Sequence, residues 1–184
     1  MDNVKRIFDI PYYQLNNFPQ EISLASKIGN EWKTYSSQEY VNLANSISRG
    51  LLKLGIKPGD RIAVISHNNR PEWNILDIGI LQIGAINVPV YPTISESDYK
   101  FIFNDSQVKL CFVSNDELYN KANAIIGEVE SLTAIYSFLP VNGCKNWQEV
   151  LDLGEDDSNQ NEVEDLKNKV DAMDLATLIY TSGT

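Results

Sequence analysis

Metal-binding and disulfide chemistry have almost no material in this sequence, which holds one histidine, His67, and two cysteines, Cys111 and Cys144, in 184 residues. A zinc site needs several such ligands together, and none stands near His67. Two distant cysteines make no disulfide framework, and Cys111, inside the apolar run KLCFV, reads as a small buried hydrophobe. Cations are short too: fifteen Lys and Arg face twenty-five Asp and Glu, a net charge of −10 that argues against nucleic acid as a partner. The most apolar stretch, residues 75–92, is broken by Asp77, Gln82, Asn87 and two glycines, so it does not read as a membrane span. The opening MDNVKRIFDIPYY lacks the long apolar region and small-residue cleavage site of a secretory signal. A cytoplasmic protein is the expectation.

Glycine-rich nucleotide motifs are equally scarce. No G-x-G-x-x-G occurs, which removes the tight turn of a dinucleotide Rossmann fold. Gly79 and Gly84 have the Walker spacing, but Ala85 and Ile86 follow where Lys and Ser or Thr are needed, so these glycines read as helix packing.

What the sequence does have is alternation of short strands and helices. Ser36 and Glu39 have capping-box spacing, and Tyr40, Leu43, Ala44, Ile47, Leu51 and Leu54 follow at intervals of three and four before Gly55. RIAVIS at 61–66 reads as a buried strand, followed by a helix from Pro71 to about Gly84. AINVPVYP at 85–92 reads as a second strand, which Pro89 and Pro92 assign to an edge or a strand end. Ser95 and Asp98 repeat the capping signature, VKLCFV at 108–113 is a third strand, Asn115 caps another helix, and TAIYSF at 133–138 is a fourth strand. Acidic residues crowd 152–165, which reads as a solvated linker running into a short helix over 162–170. LATLIY then reads as a core strand. The pattern predicts an α/β fold: a layered, largely parallel sheet with flanking helices, whose ligands bind at the carboxyl ends of the strands.

The final residues, YTSGT, place three hydroxyl donors, Thr181, Ser182 and Thr184, around Gly183, where backbone N–H groups can approach a phosphate. Alone, such a cluster after a strand is more often just a turn. His67, Asn68 and Asn69 follow another strand's carboxyl end and form a candidate ligand rim, although Asn there also suits a helix entry. Trp73 and Tyr99 read as core aromatics.

LGIKPGDRIAV, NRPEW, GAINVPVYPT and IYTSGT occur in the order and approximate spacing of the adenylate-forming (AMP-forming) acyl-CoA synthetases, and the chain resembles that family over most of its length. VPVYPTISESDYKFIFNDS and the acidic segment before DLATLIYTSGT are most similar to bacterial long-chain fatty-acid–CoA ligases. The resemblance implies an acid–thiol ligase, in which ATP and a fatty acid give an acyl-adenylate and pyrophosphate, and the thiol of CoA then displaces AMP. It implies ATP, Mg2+ and CoA as cofactors and substrates of the whole protein, with Thr181, Ser182, Gly183 and Thr184 facing the ATP phosphates and Tyr180 ending the strand. No catalytic or metal-binding residue is assigned within these 184 residues.

The resemblance further implies that 1–184 is an incomplete N-terminal portion of the AMP-binding domain, whose phosphate loop would continue beyond Thr184 to a lysine. Such a fragment is expected to be inactive, to bind ATP, Mg2+ and CoA weakly, and to fray at its last strand. The remainder of the same polypeptide would be its partner, and peripheral membrane contact of the whole protein stays open, although no basic amphipathic helix supports it. Two other readings stand beside this one: a non-catalytic α/β interaction module, and an unrelated mononucleotide-binding domain.

Overall fold

The computed structural model describes residues 4–181. Its centre is a five-stranded sheet, all parallel, in the order β4-β3-β5-β6-β7 among the described residues, built from β3 (Arg61–Ile65), β4 (Ile86–Val90), β5 (Val108–Val113), β6 (Ala134–Ser137) and β7 (Lys145–Asn146). The expected α/β layering is the observed one. Each of the first three crossovers carries a helix, α3 (Pro71–Leu81), α4 (Glu96–Ser106) and α5 (Asp116–Ala124), because parallel neighbours need a connection long enough to return to the same end.

Both faces of the sheet are covered, which explains why the strands read as unbroken apolar runs. On one face Ile62, Val64 and Phe112 meet α2 (Ser37–Lys53) and α3 through Ile47, Leu51, Ile75, Leu76 and Ile80. On the other, Ala63, Ile65, Val88, Cys111 and Val113 meet α4 and α5 through Tyr99, Phe103, Leu118 and Ala122. Cys111 is fully buried, as expected, and burial pushes its thiol pKa up, so it is an inert hydrophobe.

Helix α2 starts where the capping box predicts. The Ser36 hydroxyl accepts from the Glu39 N–H at 3.2 Å, the Glu39 carboxylate accepts from the Ser36 N–H at 2.7 Å, and Gly55 takes φ +85° just past the end. Gly79 is a packing glycine: a Cβ there would lie 2.5 Å from Ile47 Cγ2, and the Ser48 hydroxyl donates to the Gly79 carbonyl at 2.7 Å. The α2–α3 contact depends on that missing side chain.

Five elements were not expected from the sequence: α1 (Asp9–Asn17), β1 (Leu24–Ile28) and β2 (Glu31–Tyr35), which form an antiparallel hairpin, β7, and α6 (Trp147–Leu153). The hairpin stands largely outside the core, with Trp32 67% exposed, so burial imposed no alternation on it. The acidic stretch expected as a linker instead carries the last turn of α6, a short connection, and the start of α7 (Gln160–Lys169). It lies against α2: Arg49 donates through Nε to the Gly154 carbonyl at 2.7 Å and through a terminal nitrogen to Gln160 Oε1. Most of its acidic side chains are exposed, Asp156 and Glu164 pair with Lys53 and Lys167, and its backbone is held by Arg49 from α2.

Candidate functional site

The carboxyl ends of β3 and β4 open beside the last described residues, where two clefts flank a shared wall of Pro89, Val90 and Tyr91. One, about 720 Å³, is closed by Phe101, Ile102, Tyr180 and Thr181; the other, about 270 Å³, by Asn68, Asn69, Trp73 and Ile179. This is the strand end at which α/β sheets bind ligands. A cleft of about 510 Å³ at the opposite end of the strands, near Phe8, Pro58 and Gly84, holds none of the sequence-predicted site residues.

Residues 175–180, expected as a core strand, run along the outer edge of β4 and make a single parallel bridge, Thr177 to Asn87. The Asn87 N–H donates to the Ala176 carbonyl at 3.1 Å and the Leu178 N–H donates to the Asn87 carbonyl at 3.0 Å. The ladder stops there for a covalent reason. Strand period two turns the nitrogens of Asn87 and Pro89 toward the same side, and proline has no N–H to offer Leu178. Burial follows: Ala176, Leu178 and Tyr180 are half-buried against the molecule, while Leu175, Thr177 and Ile179 are exposed. Pro89 and Pro92 were expected at an edge or strand end; Pro89 is inside β4, with its missing donor on the edge side.

Asn87 is itself unusual, a 3% exposed amide in an apolar strand. Its Nδ2 donates to Asp77 Oδ1 at 2.7 Å, and its Oδ1 is buried without a partner among the described residues. Burial pushes the Asp77 carboxyl above the usual range, only partly opposed by the Asn87 hydrogen bond. Sequence reading noticed Asn87 only as a polar interruption. A lone amide in a β-branched run was the available signal that this strand position has a polar duty.

Thr181 lies exposed at the mouth of the larger cleft. Ser182, Gly183 and Thr184 lie outside the described residues. Tyr180 fastens the approach: its hydroxyl donates to Asp105 Oδ2 at 2.6 Å, and its ring meets Phe101 edge-on with centroids 6.4 Å apart.

The Asn-rich turn after β3 does reach the smaller cleft, through Ser66, Asn68 and Asn69. His67 turns away to Glu117, 3.3 Å between Nε2 and Oε2. Trp73, expected as a core aromatic, is half-buried against the core and also walls this cleft, whereas Tyr99 is fully buried. Sequence reading quoted NRPEW without assigning Arg70 and Glu72 a role. Arg70 Nε donates to Glu72 Oε2 at 2.9 Å, a terminal nitrogen reaches the Ser114 carbonyl at 3.3 Å, and the guanidinium lies 5.1 Å from the Phe138 ring centre. That pair ties the β3–α3 turn to the ends of β5 and β6 and makes the rim rigid. Among the described residues no three His, Cys, Asp or Glu side chains converge as a metal-ligand set. No helix among them is long and apolar enough to cross a membrane.

Residues 12–184 match the protein family described as AMP-binding enzyme. A long-chain-fatty-acid–CoA ligase of Mycobacterium bovis is 30% identical over 169 residues, covering 90% of this chain and 27% of that protein. A human long-chain-fatty-acid–CoA ligase is 28% identical over 175 residues, covering 92% of this chain and 26% of that protein. Among solved structures, coronafacic acid ligase from Pectobacterium brasiliense superimposes with a TM-score of 0.74 at 22% identity, covering 94% of this chain and 33% of that one. Anthranilate CoA ligase in complex with anthranoyl-AMP gives 0.70 at 19% identity, covering 96% and 31%. At those identities the structures speak for the fold alone. The chain spans about a quarter of the length of the curated relatives it matches.

Proposed function

We propose, from the premise that this chain belongs to the AMP-binding enzyme family, that it forms the first part of the large domain of a ligase that activates a long-chain fatty acid with ATP and transfers it to CoA. The match over residues 12–184 carries this reading, and the names of the relatives supply the acyl class. Carboxylates are poor acyl donors; adenylation exchanges hydroxide-like leaving character for AMP, and the thiol of CoA then takes the acyl group. In this reading Thr181, Ser182, Gly183 and Thr184 give hydroxyl and backbone donors to the ATP phosphates, whose charge must be neutralised as the α-phosphorus is attacked. Thr181 standing at a cleft on the carboxyl side of the sheet supports that role. In this reading the reaction takes place in the cytoplasm.

The 184 residues by themselves then act as scaffold and loop entrance, without turnover. Phosphoryl and nucleotidyl transfer rest on positioning and charge neutralisation, and a chain of net charge −10 attracts ATP poorly. Calorimetric titration with ATP and Mg2+ is expected to give a dissociation constant weaker than about 1 mM, worth less than about 4 kcal/mol. A micromolar constant would overturn the inactive-scaffold reading. Acyl-CoA formation by the whole gene product, with acids of graded chain length, tests the rest: long chains are expected to react fastest. Failure to adenylate any acid would favour a non-catalytic interaction module.

A further inference from the structure

Residues 175–181 are attached to the sheet by backbone bonds at one residue, Asn87, and the next bond of the ladder, to the Leu178 carbonyl, is missing because Pro89 has no N–H to give it. The next polar attachment is the Tyr180 hydroxyl on Asp105. Asp105 sits in the last turn of α4, where the helix dipole disfavours a carboxylate and where no basic residue compensates it. It makes no ion pair among the described residues. Its helix is well anchored, with Tyr99, Ile102, Phe103 and Ser106 buried. An acid placed against a local rule, on a rigid support, with a single partner on a loosely paired segment, is the pattern of a residue kept for function.

We propose that Asp105 is a positioning residue: through Tyr180 it sets where Thr181 enters the cleft, and so where that hydroxyl is presented to phosphate. The purpose of this placement rests on the phosphate-facing reading above; the placement itself does not. The Phe101 ring orients the Tyr180 ring from the side, leaving its hydroxyl one acceptor at 2.6 Å. Burial, and then the Asp105 hydrogen bond, push the Tyr180 phenol above its ordinary value, while Ser106 and Arg61 act in the other direction.

Amide hydrogen exchange of the 184-residue chain tests it. Asp105→Ala and Tyr180→Phe are each expected to speed exchange of the Leu178 N–H roughly threefold to tenfold, the worth of one hydrogen bond. The double variant should go no further than either single one, Asp105→Asn should recover most of the protection because it keeps an acceptor, and the Val64 amide of β3 should not change. Tyrosine-resolved NMR titration should show the Tyr180 phenol moving down in Asp105→Ala. Unchanged Leu178 exchange in both single variants, additive effects, or a wild-type Leu178 amide already exchanging at the free-chain rate would overturn the positioning role. Inorganic pyrophosphate, followed by the Thr181 amide shift, separates the two claims. A shift that weakens in Asp105→Ala supports both. No shift in the wild type removes the phosphate reading while the exchange result still decides the placement.

Discussion

β3 and residues 175–181 are short aliphatic and β-branched runs lying on opposite sides of the same strand, β4, and they meet opposite fates. In β3, Ile62 to Ile65 are buried, and the strand is hydrogen-bonded along its length to β4 and β5. Residues 175–181 make one bridge, and every second side chain is exposed. Composition does not separate them; neighbours do. β3 has donors and acceptors on both sides and a helical layer on each face, while the outer segment faces a proline where its ladder should continue and has no strand outside it among the described residues. A stretch is a core strand only where something else completes it.

The contrast can be broken most strongly from inside. Ile62→Ala, at a fully buried site, is expected to cost about 2–5 kcal/mol of global stability, read as a fall in the urea midpoint. Leu178→Ala should cost only about 1 kcal/mol or less, because the side chain is half-buried, and should leave β3 amide exchange as it was. An equal loss in the two variants would make the segment part of the cooperative core.

Pro89→Ala sharpens the comparison from the other direction. It restores an N–H facing the Leu178 carbonyl, and one added hydrogen bond of about 1 kcal/mol should slow exchange in the segment several-fold. No change in segment exchange would mean that the missing donor is not what ends the ladder.

The smallest effect concerns Asp77, beneath Asn87. Its folded pKa lies above the unfolded value of about 3.9, so its contribution is complete below that value and is lost as pH rises through the folded pKa. Asp77→Asn keeps an oxygen acceptor and removes the charge. The variant should therefore be modestly more stable than wild type at neutral pH, and the gap in urea midpoints should close as pH falls toward about 4. A gap that widens on acidification would contradict the direction of the shift.

Much of the scaffold was legible because local chemistry and tertiary structure agree there. The capping boxes at Ser36 and Ser95, the Pro71 helix start and the Val108–Val113 strand carry their instructions in adjacent residues, and each element starts within a residue or two of its expected position, although the Pro71 helix ends at Leu81 rather than Gly84. The hairpin at 24–35 was missed because an exposed hairpin needs no apolar alternation, and the Gly29-Asn30 turn between its strands was its one local signal. For the site, the terminal hydroxyl cluster and the Asn68–Asn69 rim could be read as motifs. Asp77, Asp105 and the Arg70–Glu72 pair could not, and Asn87 stood out only as an amide in an apolar run, because each matters through a partner that the chain reaches only after folding.

Alternation of strands and helices, caps, turns and family membership were present in the order of residues, since they depend on neighbours a few positions apart or on motifs in sequence. Which apolar runs became interior was decided in three dimensions. RIAVI is enclosed because β4 and β5 lie on either side of it, whereas among the described residues LATLIY has only β4 beside it, where Pro89, nearly ninety residues earlier, turns a nitrogen without a hydrogen toward it.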